Sequence, residues 1–341
     1  MPNWNPLNNA DKYGIINTLS STIANIELIE RDYLPNLRTD SELALISDYA
    51  GEHKNARFNI LSYLLADRPG ILSIWDHERM SIRRKFLGDG RRLAFKSLGD
   101  KNKQKALGPF LASASSINGV LFCVAIDKRI QSISYRGLPS STDIAEWSSL
   151  SWSPKVFEKL VRVLHFGNFL VAGLCRPEQN LMWITDDDEI VANDTFHKDA
   201  CRIYSRIRQH YCQDNLGKLT CGMAGKFNDN RRAEDLVSIV DVVGGAVSEI
   251  LSSISPEDFP KSRKVVTPIL KRLSTKSQVI LSWLAEQKGS LKKIILVIRP
   301  SNAGKIQFSI LNLLNLTGMA KGRFGLWLPP DKGWIQSIKS W

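Results

Sequence analysis

The chain has 341 residues, of which 43% are hydrophobic and 23% charged; this is close to average globular usage and excludes a disordered, collagenous or coiled-coil protein. Five cysteines (Cys123, Cys175, Cys201, Cys212 and Cys221) lack CxxC spacing, so neither a disulfide framework nor a zinc site is expected and a reducing cytoplasm fits. The first residues show no basic-then-apolar leader pattern and no run of about 18 apolar residues occurs, so secretion and membrane spanning are not expected.

The charge is unevenly spread. Lys and Arg number 46 against 34 Asp and Glu, a net +12, yet from Pro256 onward 15 basic residues face 4 acidic ones, a net +11. The first 255 residues are thus nearly neutral, and the surplus sits in a basic C-terminal module, densest at Lys261, Arg263, Lys264, Lys271 and Arg272. Such a region favours polyanions, nucleic acid above all; a solvated basic face that docks an acidic protein partner is the plainer alternative. The expected organisation is an N-terminal helical segment over 1–40, a catalytic domain over 41–255 and the basic module over 256–341.

In chain order, Ile15, Leu19, Ile23 and Ile26 recur at helical spacing and predict an amphipathic helix. Residues 43–47 read as a strand that delivers Asp48 to its end. The runs 58–65 and 71–75 flank the turn signal Asp67-Arg68-Pro69-Gly70, which predicts a three-strand meander with the first strand. The stretch 83–105 is basic, a helix is expected near 105–114, and GVLFCVAID predicts a buried strand ending in Asp127. Pro154 suits the first turn of a long helix. LMWIT (181–185) is a strand running into Asp186-Asp187-Asp188-Glu189, and 195–211 has helical periodicity. The segment 234–251 is almost wholly apolar; its β-branched residues would suit a strand, but its length favours a helix.

Three acidic positions stand apart from surface carboxylates: Asp48 at one strand end, the Asp186–Asp188 run at another, and Asp241 within the apolar 234–251 segment. A buried ionised carboxylate costs several kcal/mol unless paired or bound to a metal. Pairing with Arg231 would explain Asp241 structurally, a turn would explain Asp48, and a solvated loop would explain the triple aspartate. Convergence of all three instead suits a hard divalent ion, which carboxylates and substrate phosphate oxygens hold together. Gly244 and Gly245 permit close approach of another part of the chain.

Taken together, Asp48-Tyr49-Ala50-Gly51, the ITDDDE run and Val237-Ser238-Ile239-Val240-Asp241-Val242-Val243-Gly244-Gly245 resemble an RNase H-like prokaryotic family of unknown function. That family's first strand ends in Asp-Glu-Ser-Gly, and its members are regarded as metal-dependent nucleases. The resemblance spans roughly residues 43–250. It implies an α/β fold, an RNase H-like mixed sheet flanked by helices, in which Asp48, Asp186, Asp187 and Asp241 are catalytic and hold Mg²⁺ or Mn²⁺. Glu52 and Asp188 are further candidates, and which of the three consecutive aspartates points inward stays open. It also implies a part in bacterial antiviral defence or mobile-element biology.

Tyr49 stands where the family has Glu, and Ser238 where it has Gln. These departures favour the alternative of a catalytically inactive, nucleic-acid-binding or scaffold subunit of a larger complex. A third reading, a glycosyltransferase using Asp186-x-Asp188, leaves Asp48 and Asp241 unexplained. His53, Lys54 and Arg57 follow the first aspartate and are candidates for phosphate contact, as is the basic stretch from Arg83 to Lys105, Arg92 included. His77, His165, His197 and His210 have no metal-ligand spacing and suit core or surface roles. SNAGKIQ (301–307) lacks the phosphate-loop pattern, and Trp327, Trp334 and Trp341 are candidate stacking residues.

Overall fold

The computed structural model describes residues 2–7, 14–130, 152–212, 216–254, 273–286, 288–300, 306–315, 324–327 and 337–338. Strands β1 (Glu42–Ala50), β2 (Phe58–Asp67) and β3 (Gly119–Asp127) form an antiparallel meander in which Asp48 lies opposite Ser62, and Ser62 opposite Cys123. On one side β4 (Asn180–Thr185) adds parallel to β1, and β5 (Leu219–Met223) parallel to β4. On the other, β6 (Leu291–Pro300) adds parallel to β3 and β7 (Ile306–Ile310) antiparallel to β6. Strands β8 (Asn312–Asn315) and β9 (Phe324–Trp327) make a separate ribbon. The two-residue β10 (Ser337–Ile338) edges the main sheet, whose order is β10-β7-β6-β3-β2-β1-β4-β5.

Seven helices of more than one turn are described: α1 (Gly14–Ile29), α2 (Asp76–Phe86), α3 (Lys101–Ala114), α4 (Pro154–Leu174), α5 (Asp194–Tyr211), α6 (Arg232–Ser253) and α7 (Thr275–Ala285). They cover both faces of the sheet, giving two cores. One joins α2, α3, α6 and α7 to Ala44, Ile46, Ile60, Leu64 and Cys123; the other joins α1, α4 and α5 to Leu43, Leu45, Tyr63, Val124 and Trp183. The protein is therefore an α/β molecule with a mixed sheet flanked by helices. Alternation along each strand explains this division, because successive side chains leave opposite faces.

Helix α6 is apolar and long enough to cross a membrane by composition, yet 78% of its most apolar window is buried inside the fold, as in a core helix. Fully burying each Val or Ile contributes about 1.5–3 kcal/mol, and Val237, Val240, Val243, Val247 and Ile250 are all at most 1% exposed. That gain offsets the cost of carrying Asp235 and Asp241 on the same helix. The β-branched residues of this segment did not make it a strand.

Several expected elements differ. Residues 71–75 are a π-helical turn leading into α2, and the third strand of the meander is β3 instead. The reason is local: Asp67 Oδ1 accepts the Gly70 amide at 2.7 Å and Pro69 stands in the first turn, so Asp-Arg-Pro-Gly starts a helix rather than a hairpin. The basic stretch 83–105 lies partly in α2 and α3 rather than in one loop between strands. Residues 291–300 and 306–310, grouped by charge with the basic module, extend the main sheet, and Lys293 is buried with Nζ on the Trp283 and Glu286 carbonyls. Ser153 caps α4, with Pro154 in its first turn as expected.

Candidate active site

Strand period and register sort the acidic residues. Ala44 and Ile46 face α6 while Leu43 and Leu45 face α4, so the next steps turn Asp48 toward α6 and Tyr49 toward α4. Strands β1 and β4 run parallel with Ser47 beside Thr185, and one further residue on each brings Asp48 and Asp186 side by side. Gly51 follows with φ +80°, where a side chain would be strained, and a Cβ there would lie 2.1 Å from the Phe58 carbonyl oxygen. The strand thus ends just past Asp48.

Helix α6 supplies the third carboxylate. A Cβ on Gly244 would lie 2.8 Å from Ser62 Oγ and 3.4 Å from Ala50 Cβ. The helix therefore rides close over β1 and β2 one turn away from Asp241. Asp48 is only 7% exposed; burial, then the charges of Asp241 and Asp186, push its carboxyl well above the usual range. Burial also raises Asp241, against the opposing pull of the Phe95 amide and Arg92. Asp48 has no ion-pair partner among the described residues.

The segment between α2 and α3 closes over this trio. Arg92 donates from both terminal nitrogens to Asp186, 2.6 Å to Oδ1 and 2.7 Å to Oδ2. Three residues on, the Phe95 amide donates to Asp241 Oδ2 at 2.7 Å. The Phe95 ring packs on Gly245, where a Cβ would meet it at 2.2 Å, and Lys276 Nζ lies 4.0 Å from the ring centroid and 2.8 Å from the Phe95 carbonyl oxygen. The adjacent glycines do admit close neighbours, a strand pair at Gly244 and an aromatic ring at Gly245.

The remaining candidates are distributed elsewhere. Asp187 is exposed, donates its amide to Asp186 Oδ1 at 2.9 Å and lies against the turn at Gly225. Asp188 and Glu52 both contact Lys159, at 3.3 and 2.7 Å, together with Glu189 at 2.7 Å. Lys159 Nζ lies 4.0 Å from the centroid of the Tyr49 ring, which places this second charged group on the α4 face, with Asp188 still near enough for its charge to raise Asp48. Arg57 pairs with Asp127 at 3.4 Å, and Lys54 is exposed. Lys261, Arg263, Lys264, Lys271, Arg272, Trp334 and Trp341 lie outside the described residues. His165 is a core histidine: its Nδ1 meets the Tyr211 hydroxyl at 2.9 Å, and burial pulls its pKa down to about 4. Arg231 pairs with Glu234, not Asp241.

Three carboxylates, one of them buried without a cation, have the donor chemistry of a hard divalent ion. As placed, no three His, Cys, Asp or Glu side chains among the described residues stand close enough to hold a metal. Arg92 and Phe95 were the residues that sequence reading could not single out. Arg92 is one of several basic residues in its stretch, and nothing in the sequence separates it from Arg91, which pairs with Asp89 and Asp100. The chain matches no family model and no curated protein.

Proposed function

We propose that the protein is a nuclease that hydrolyses nucleic-acid phosphodiesters with the help of Mg²⁺ or Mn²⁺, on an RNase H-like core. The observation that carries this reading is that Asp48, Asp186 and Asp241, from two parallel strands and a helix, share one face of the sheet near enough for the charges of the last two to raise the first. The order β3-β2-β1-β4-β5, antiparallel through the first three and parallel through the last two, supports the RNase H-like comparison. Asp48, Asp186 and Asp241 would hold the cation, with Asp187 beside them. When bound, such an ion supplies a water of lowered pKa and a Lewis acid for the phosphoryl oxygens.

The chain's own groups have separate tasks. Burial and the neighbouring Asp241 and Asp186 hold the Asp48 carboxyl well above the usual carboxylate range, a cost that a bound cation would relieve. The Phe95 amide fixes the rotamer of Asp241. The C-terminal Lys and Arg set, with Lys54, would give sequence-independent phosphate contacts that weaken as salt rises. A cytoplasmic role in defence against foreign nucleic acid belongs to the same proposal.

The test is direct. Labelled single- and double-stranded DNA and RNA are incubated with the full chain and Mg²⁺, Mn²⁺ or EDTA, beside Asp48→Asn and Asp241→Asn. Metal-dependent cleavage lost in both variants supports the reading, and cleavage surviving both overturns it. A second reading, an inactive nucleic-acid-binding scaffold, is favoured by Tyr49 facing away from the site and by Ser238 spending its hydroxyl on the Glu234 carbonyl at 2.8 Å. Salt-sensitive binding without cleavage under every metal condition would establish it.

A further inference from the structure

We infer that Cys201 and Cys221 form a peroxide-reactive pair: Cys201 attacks a small hydroperoxide, and Cys221 resolves the product into a disulfide that clamps α5 to β5. The pair uses none of the carboxylates of the candidate site, so the inference stands independently of the nuclease reading.

Two ties fix how α5 lies along the edge of the sheet. Near its end, Arg208 Nη1 donates to the Gly217 carbonyl oxygen at 2.9 Å, just before β5. At its start, Asp194 pairs with Lys226 at 2.7 Å, just past β5. Helix and strand therefore run in opposite senses along each other, and their midpoints meet. Cys201 stands midway between Asp194 and Arg208, and Cys221 close to midway between Gly217 and Lys226. An aromatic pair fixes the same alignment: Trp183 lies beside Cys221 in the β4–β5 register and stacks on Tyr204, one turn after Cys201, with ring centroids 5.3 Å apart. The two thiols accordingly share a hydrogen bond. Cys201 Sγ also lies 3.8 Å from Nε2 of His197, one turn before it.

The surroundings divide the roles. The hydrogen bond from Cys221, set against burial, draws the Cys201 thiol below its ordinary range, while the same bond and burial push Cys221 up. Cys201 is thus the nucleophile. Burial, then the charge of Lys226, holds His197 below the usual histidine range, so a neutral ring nitrogen is at hand to take the Cys201 proton. The thiolate attacks the outer oxygen of the hydroperoxide; an S–O bond forms, the O–O bond breaks, and the departing alkoxide leaves as alcohol with the proton from His197. Sulfur is oxidised to sulfenic acid and the peroxide is reduced. Cys221 sulfur then attacks Cys201 sulfur: the S–S bond forms, the S–O bond breaks, and hydroxide leaves as water with the Cys221 proton. A small dithiol reverses the link and is itself oxidised to a disulfide.

Reach separates this pair from the other cysteines. Cys201 and Cys221 are part-exposed, whereas Cys123 and Cys175 are buried. Burial pushes the Cys123 thiol up to about 12 and raises those of Cys175 and Cys212 as well. All five are thiols in this structure, the resting state of a labile pair.

The experiment exposes the reduced full chain to hydrogen peroxide, blocks remaining thiols with N-ethylmaleimide and maps the products by mass spectrometry. Wild type, Cys201→Ser, Cys221→Ser and His197→Gln are compared, with melting curves as fold controls. In wild type the first product should be a Cys201–Cys221 cross-link that a dithiol removes, with Cys123, Cys175 and Cys212 still alkylated. Cys221→Ser should stop at a sulfenic acid on Cys201, tagged by dimedone, and Cys201→Ser should leave Cys221 a thiol. His197→Gln should form the same cross-link several-fold more slowly. Wild type in which Cys201 and Cys221 are both alkylated after peroxide, or in which a different pair links first, overturns the inference without appeal to any variant. Sulfenic acid on Cys221 in Cys201→Ser overturns the assignment of nucleophile, and an unchanged rate in His197→Gln overturns the part given to the histidine.

Discussion

Two aspartates six residues apart on α6 teach opposite lessons. Asp235 is fully buried and surrounded by cations: Arg83 reaches it at 2.6 and 2.7 Å, and the equally buried Arg79 at 3.1 Å. Arg79 also holds Asp76, which pairs in turn with Arg232. This is a closed ionic network tying α2 to the start of α6. Asp241, less than two turns along, has one backbone amide, the charges of Asp48 and Asp186, and only the more distant pull of Arg92 and Lys96. A helix that encloses one carboxylate in ion pairs and leaves the next, half-buried, beside like charges costs stability at the second position, the pattern expected where charge is kept for chemistry.

The sharpest way to break this comparison is Asp235→Asn, which takes the forked carboxylate from Arg83 and leaves the buried Arg79 with Asp76 as its only carboxylate among the described residues. A loss of about 3–5 kcal/mol is expected, read from urea unfolding; a loss near zero would deny the network its role. Gly245→Ala comes next. Its Cβ would collide with the Phe95 ring, costing about 1–3 kcal/mol by overpacking and loosening the Phe95 amide from Asp241, so cleavage should fall together with the melting temperature.

A pH series on Asp48→Asn without metal sharpens the unbalanced side. The folded carboxyl is raised above its unfolded value, so the folded state holds its proton longer. The destabilising term is absent below the ordinary carboxylate pKa of about 3.9 and grows as pH rises through the raised folded value. The variant should therefore melt a few degrees above wild type near pH 7 and lose that advantage toward pH 4. An advantage that grows on acidification would reverse the sign and refute the account.

The smallest expected stability change belongs to Asp241→Asn. The amide oxygen still accepts from Phe95, and one repulsive charge is gone, so unfolding should shift by less than about 1 kcal/mol in either direction while cleavage is abolished. A loss matching that of Asp235→Asn would mean that both aspartates are structural.

Much of this was legible beforehand because it is local. The helical period of 195–211, the strand that ends in Asp127 and the first-turn proline Pro154 follow from short-range pattern and geometry, and all are present. The segment 71–75 was misread because a short apolar run fits a strand or a buried helical turn equally well, and the Asp67 cap decided between them. The charge boundary at Pro256 did not mark where the sheet ends, since β6 pairs with β3 wherever its own charge lies.

What the sequence determined alone was which residues are acidic, which segments are apolar and which face each strand residue takes, because a period of 2 or 3.6 is set by backbone geometry. Only the tertiary structure decided that Asp186 comes beside Asp48 on the face that Asp241 also shares. It also decided that Arg92 of its basic stretch pairs with Asp186. Those contacts join residues 94 and 146 positions apart. At such separations, pairing is fixed by strand register and helix packing, which no local pattern encodes.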